Sequence, residues 1–130
     1  MMNKSAYWLD LAEYDLSAAA VMLNGKRFIY VGFMCHQTIE KALKAVIARD
    51  CKEDESPPKT HDLSKLAIAA GLIDVMSEEQ IKFLEYLNPL NIEARYPEFR
   101  QRLLSVLSVE RCRRIMAETE DLLCWIKNRL

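Results

Sequence analysis

Three glycines and four prolines in 130 residues leave little material for the many tight turns of an all-β protein. Charge of one sign is missing too: 18 basic residues face 19 acidic ones, a formal net charge of -1. A surface so balanced does not capture nucleic acid wholesale by electrostatics. No run approaches the roughly 18 apolar residues of a membrane-spanning helix, and the N-terminus lacks a basic-then-apolar signal segment. The four cysteines, Cys35, Cys51, Cys112 and Cys124, form no CxxC pair and no Cys/His cluster of zinc spacing. Gly-rich phosphate loop, HExxH, GxSxG and EF-hand patterns are absent as well. The expectation is a reduced, cytoplasmic chain with no membrane segment, metal or cofactor.

What is present is apolar and helical. With 51% apolar and 28% charged residues the composition is globular. A chain of this length buries about two-thirds of its unfolded surface as a single domain, here residues 1–130. A first helix is expected over residues 4–23, where Leu9, Ala12, Leu16, Ala19 and Leu23 recur by three and four. Asn24-Gly25 supplies the stop, Gly tolerating the left-handed conformation. A second helix over 28–50 carries the stripe Ile29, Gly32, His36, Ile39, Leu43, Val46, with Gln37, Lys41 and Lys44 on a polar face and Glu40 at its flank. The short turn between them makes an antiparallel hairpin.

Residues 51–59 read as a loop. Thr60 is expected to cap a short helix over 61–70, stopped by Gly71. Ser77-Glu78-Glu79-Gln80 has the capping-box pattern and opens a helix to about 87, which Asn88-Pro89 should end. Residues 91–105, broken by Pro97, fit either loop or helical turns. The last helix follows Val109, Cys112, Met116, Thr119, Leu123, Ile126 and Leu130, as a core stripe or a minimal coiled-coil seam. The fold class is all-α, an antiparallel four- to five-helix up-down bundle with the first, second and last helices at its core.

Two histidines keep the search for acid–base chemistry short. His36 lies on an apolar stripe one turn before Glu40, as a core histidine or a ligand. His61 stands between Thr60 and Asp62 at a helix start, where capping or catalysis explains it. Arg95-Tyr96-Pro97 puts a planar cation and an aromatic ring in one rigid corner, suited to phosphate and base or to helix capping and packing. Between Arg95 and Arg114 six arginines face only Glu98 and Glu110, which is either a solvated face or a local basic patch.

Four segments in order carry a resemblance. They are Ala12-Glu13-Tyr14-Asp15-Leu16, the run from Phe33 to Ala45 that includes His36-Gln37-Thr38-Ile39-Glu40-Lys41, Thr60-His61-Asp62-Leu63, and Ala94-Arg95-Tyr96-Pro97. With the long final helix, this order resembles the HEPN superfamily of small helical domains, found beside minimal nucleotidyltransferases. The resemblance implies a helical bundle, commonly a homodimer, with an RNA- or nucleotide-linked role. It implies either a metal-independent endoribonuclease or a partner of a nucleotidyltransferase in a toxin–antitoxin-like system. Family nucleases carry Arg-x(4–6)-His near the start of the last helix; here no histidine follows Arg95, and none lies anywhere after His61. The leading expectation is therefore a non-catalytic or weakly catalytic RNA- or nucleotide-binding partner protein, with Lys41, Lys44, His61, Arg95 and Tyr96 as ligand contacts. The alternatives are an endoribonuclease using Arg95 and His61, and a plain dimeric interaction module.

Overall fold

A computed structural model describes residues 3–130; Met1 and Met2, within the expected domain, lie outside the described residues. Asn3 starts α1 (Lys4–Asn24) by accepting a hydrogen bond from the Ala6 amide. Ala12 and Ala19 on the expected stripe are fully buried, small enough to let the neighbouring helix approach closely. The turn that follows corrects one expectation. Lys26, at φ 58°, takes the left-handed conformation, while Gly25 is at φ -86°. Gly25 serves instead by close approach, since a Cβ there would lie 3.3 Å from the Val21 carbonyl oxygen.

The centre of the molecule is α2 (Phe28–Arg49), in which 14 of 22 residues are buried. Burial that complete needs neighbours on every side, and α1, α3, α4 and α6 all pack against it. The expected stripe from Ile29 to Val46 is buried throughout. The expected polar face is not solvated, however. Lys44 is 6% exposed and Lys41 half-buried, because that side of α2 faces α1.

Residues 51–59 form the expected loop, but it is tied down. The Lys4 ammonium donates to the carbonyls of Lys52 at 2.8 Å, of Glu53 at 2.6 Å, and of Glu55. The next helix, α3 (Leu63–Ala69), begins later than expected. Asp62 rather than Thr60 caps it, accepting from the Ser64 and Lys65 amides, while the Thr60 hydroxyl accepts from the Asp62 amide. Asp has the longer reach and the charge that a helix N-terminus favours. Gly71 ends this stretch at φ 73° with open space around it, a conformation that favours glycine.

Ser77 and Gln80 form the expected capping box at the start of α4 (Glu78–Glu93). Here a second correction enters: α4 runs straight through Asn88-Pro89. Proline forfeits one backbone hydrogen bond, at a cost of about 3 kcal/mol in a helix interior. Buried Leu87, Leu90 and Asn91 hold the helix on α2 across the break, and the proline ring points to solvent. Pro97 does interrupt the chain, opening a 3-10 turn (Pro97–Phe99) that leads into α5 (Arg100–Val106). The ambiguous segment is thus helical turns pinned by buried Leu103 and Leu107.

Ser108 caps α6 (Val109–Lys127). Its buried face is broader than the expected stripe, adding Ile115 and Leu122, while Leu130 lies past the helix end and is exposed. Cys35 and Cys112 are core residues, and the Cys35 sulfur lies 3.7 Å from the Met116 sulfur. Among the described residues the architecture is all-α, with α1, α2 and α6 packed together as expected and six α-helices where four or five were expected. Among the described residues no helix is long and apolar enough to cross a membrane.

Candidate functional site around His61 and Arg95

His36 and Glu40, one turn apart on α2, both face the segment entering α3, and Lys44 follows Glu40 one turn further on. The Glu40 carboxylate is buried and takes a donor on each oxygen. Lys44 Nζ lies 3.2 Å from Oε2, and His61 Nδ1 lies 2.9 Å from Oε1. Lys44 also stands 5.4 Å from the centroid of the Trp8 ring, a cation–π contact that suits a desolvated ammonium. Two charges out of water are tolerable only when paired and hydrogen-bonded in this way.

The backbone at His61 is held by the other histidine. His36 Nε2 lies 3.0 Å from the His61 carbonyl oxygen, and since a carbonyl only accepts, Nε2 carries the proton. That leaves the buried His36 Nδ1 without a hydrogen-bond partner, 3.9 Å from Glu40 Oε1. Burial pushes the His36 pKa down to about 4, against the pull of Glu40. His36 is thus a buried histidine whose Nε2 holds the backbone of His61. On the far side Asn88 accepts from the Leu63 amide at 2.9 Å and donates to Asp62 at 3.3 Å. His61 therefore arrives on a fixed backbone. Its side chain is 59% exposed, and Nε2 has no partner among the described residues.

Arg95 reaches the same place from the other end of α4. Gln37 donates to the Asn91 side chain at 3.0 Å, and the Asn91 carbonyl accepts from Arg95 Nε at 3.1 Å. The terminal guanidinium nitrogens stay free of protein partners among the described residues. His61 and Arg95 share one cleft of about 310 Å³, with Asp62, Asn88, Pro89, Asn91 and Ile92 as its other walls. Asp62 commits Oδ1 alone, to capping and to Asn88, so one carboxylate oxygen stays in the cleft beside the unpaired ends of an imidazole and a guanidinium. Such a pair binds a phosphate oxygen readily, and an imidazole oriented by a carboxylate can also accept a proton.

Of the five expected ligand contacts, the structure brings His61 and Arg95 together. Tyr96, 49% exposed, lines a neighbouring groove that also includes Arg95. Lys41 and Lys44 point elsewhere, Lys41 into an ion pair with buried Asp15 of α1 and Lys44 onto Glu40. From the sequence Glu40 reads as a flank residue beside Lys44 and one turn after His36, with no link to His61, and neither Asn88 nor Asn91 reads as a site residue. The spacing of His36, Glu40 and Lys44 along one side of a helix was the available signal for Glu40. For the two asparagines the reading of Asn88-Pro89 as a helix end hid their position. Among the described residues no group of three or more His, Cys, Asp or Glu is placed to hold a metal ion.

The crystal structure of TT1696 from Thermus thermophilus superposes with a TM-score of 0.80 at 20% identity, covering 99% of this chain and 100% of that one. At that identity the likeness speaks for the fold. No curated protein matches the sequence. The HEPN domain profile, by contrast, matches residues 5–129, nearly the whole length over which helices, cleft and loop have been described, and the chain belongs to the HEPN domain family.

Proposed function

We propose that this HEPN protein binds the phosphate of an RNA or nucleotide in the cleft between His61 and Arg95. The observation that carries the reading is the shared cleft. Two groups far apart in sequence converge there with their polar ends unpaired, while nearby cations are consumed in internal ion pairs. On this reading it acts as a non-catalytic or weakly catalytic partner of a nucleotidyltransferase in a toxin–antitoxin-like system, as a homodimer; these last elements rest on the family resemblance. Affinity for labelled RNA or nucleotide that falls with salt, and drops about tenfold or more in Arg95→Ala, is the expected result. Equal affinity in that variant would make the Arg95 corner structural. Dimerisation without any nucleotide affinity would leave only an interaction module.

A second reading, a metal-independent endoribonuclease, is favoured by one feature: Glu40 orients His61 as a carboxylate orients a general base. His61 Nε2 would take the 2′-hydroxyl proton as the 2′-oxygen attacks phosphorus and the bond to the 5′-oxygen breaks. A cyclic phosphate and a 5′-hydroxyl result, the leaving oxygen taking a proton from solvent. Arg95 would hold the phosphoryl charge. Incubation with labelled RNA in EDTA decides between the readings. Cleavage abolished by both His61→Ala and Arg95→Ala establishes the nuclease, and no cleavage at high protein concentration leaves binding.

A further inference from the structure

The cleft does not end at Arg95. A second groove of about 310 Å³ begins on the other side of this residue, walled by Tyr30, Glu93, Tyr96 and Arg100 over the buried side chains of Ile29 and Leu103. Its one carboxylate, Glu93, is occupied by the guanidinium of Arg102. Arg100 makes no side-chain hydrogen bond or ion pair among the described residues, and Arg95 commits only Nε. The groove's two free charges are therefore both positive. Its two aromatic rings are also idle. Tyr30 is 44% and Tyr96 49% exposed, and neither makes a ring–ring contact or a hydroxyl hydrogen bond among the described residues.

We propose that these two grooves form one site for consecutive nucleotides of a single-stranded oligonucleotide, and that Tyr30, Tyr96 and Arg100 are its second subsite. This rests on the phosphate-binding reading of the His61–Arg95 cleft. Each groove lies at the lower end of small-ligand pocket size, room for about one nucleotide. Arg95 lines both, the place for the phosphate that joins two residues. In the second groove an unstacked base lies against the phenol rings, with Arg100 on the next phosphate. A cationic track with aromatic stacking faces suits a single strand, whereas bases paired in a duplex do not offer their faces. The contact is sequence-tolerant because every base has a π-face.

The test uses the full chain, a fluorescein-labelled pentauridylate as probe, and unlabelled pentauridylate or UMP as competitor. The pentamer is expected to compete at a concentration about tenfold or more below that of UMP. Arg100→Ala and Tyr96→Ala should each weaken the pentamer about fivefold while leaving UMP competition unchanged. Tyr96→Phe, which keeps the ring, should restore parental affinity, and far-ultraviolet circular dichroism checks that each variant is folded. Equal competition by pentamer and UMP, or a pentamer indifferent to Arg100→Ala and Tyr96→Ala, overturns the second subsite. If Arg95→Ala still abolishes UMP binding in that case, the cleft reading stands without it. Failure of both pentamer and UMP to bind the parent overturns the cleft reading and the second subsite together.

Discussion

The exposed imidazole of His61 is held by the buried carboxylate of Glu40, Nδ1 to Oε1 at 2.9 Å. The other oxygen of the same carboxylate takes Lys44 at 3.2 Å. One acid in the middle of α2 thus settles a buried cation and aims a surface ring at the cleft.

Removing that acid strands Lys44. Glu40→Ala is expected to lose about 3 kcal/mol in urea unfolding, because a buried charge without its partner is costly. The double variant Glu40→Leu with Lys44→Met should recover most of the loss, since it removes both charges. A loss below about 1 kcal/mol for the single change would mean that the ammonium escapes to water.

His36 supplies a pH dependence whose sign is fixed. Its folded pKa, lowered to about 4 by burial, lies below the unfolded value of 6.5. Between those values the unfolded chain binds more protons, so stability is full above 6.5 and declines as pH falls toward 4. The total is on the order of 3 kcal/mol. Unfolding free energies from pH 8 to 4, compared with His36→Gln, measure it. A variant with the same pH slope as the parent would show that His36 is not the group responsible.

Much of the fold was legible in the sequence. The stripes of α1, α2 and α6 are periodic enough to place three helices, and Ser77 to Gln80 announces the start of α4 through chemistry local to four residues. What was illegible depends on contacts distant in sequence. Lys44 has the look of a solvated lysine until Trp8 and Glu40 enclose it. Pro89 has the look of a helix end because local propensity says nothing of the leucines that carry α4 past it. His61 and Arg95 were both singled out, but the cleft they share depends on how α3 and α4 pack on α2.

The cysteines separate by exposure. Cys124 is exposed and Cys51 intermediate, whereas Cys35 and Cys112 are buried, their thiols pushed by burial up to about 12 and about 11. Thiolate is the reactive species. Mass spectrometry after iodoacetamide treatment should find Cys124 labelled first, then Cys51, and the buried pair only in denaturant. Early labelling of Cys35 would indicate opening between α2 and α6.

Gly32 faces Leu90 of α4, and a Cβ added there would meet the Leu90 Cδ1 at 2.8 Å. That atom ends a flexible side chain, and alanine gains about 1 kcal/mol of helix propensity over glycine. Gly32→Ala should therefore stay within about 1 kcal/mol of the parent, while Gly32→Ile should lose about 2 kcal/mol by overpacking. A large loss for alanine would mean that α4 is clamped too tightly for Leu90 to turn.

The connection between α2 and α3 is fastened at both ends, by the Lys4 ammonium on its early carbonyls and by His36 on the carbonyl of His61. It therefore behaves as a ruler rather than a tether. A free loop absorbs an added or deleted residue by changing its path, but this one has its departure and arrival points fixed. One residue more or less in 56–60 would shift the imidazole along the face of α2 and out of register with Glu40. The length of this stretch, more than its composition, is what the cleft depends on.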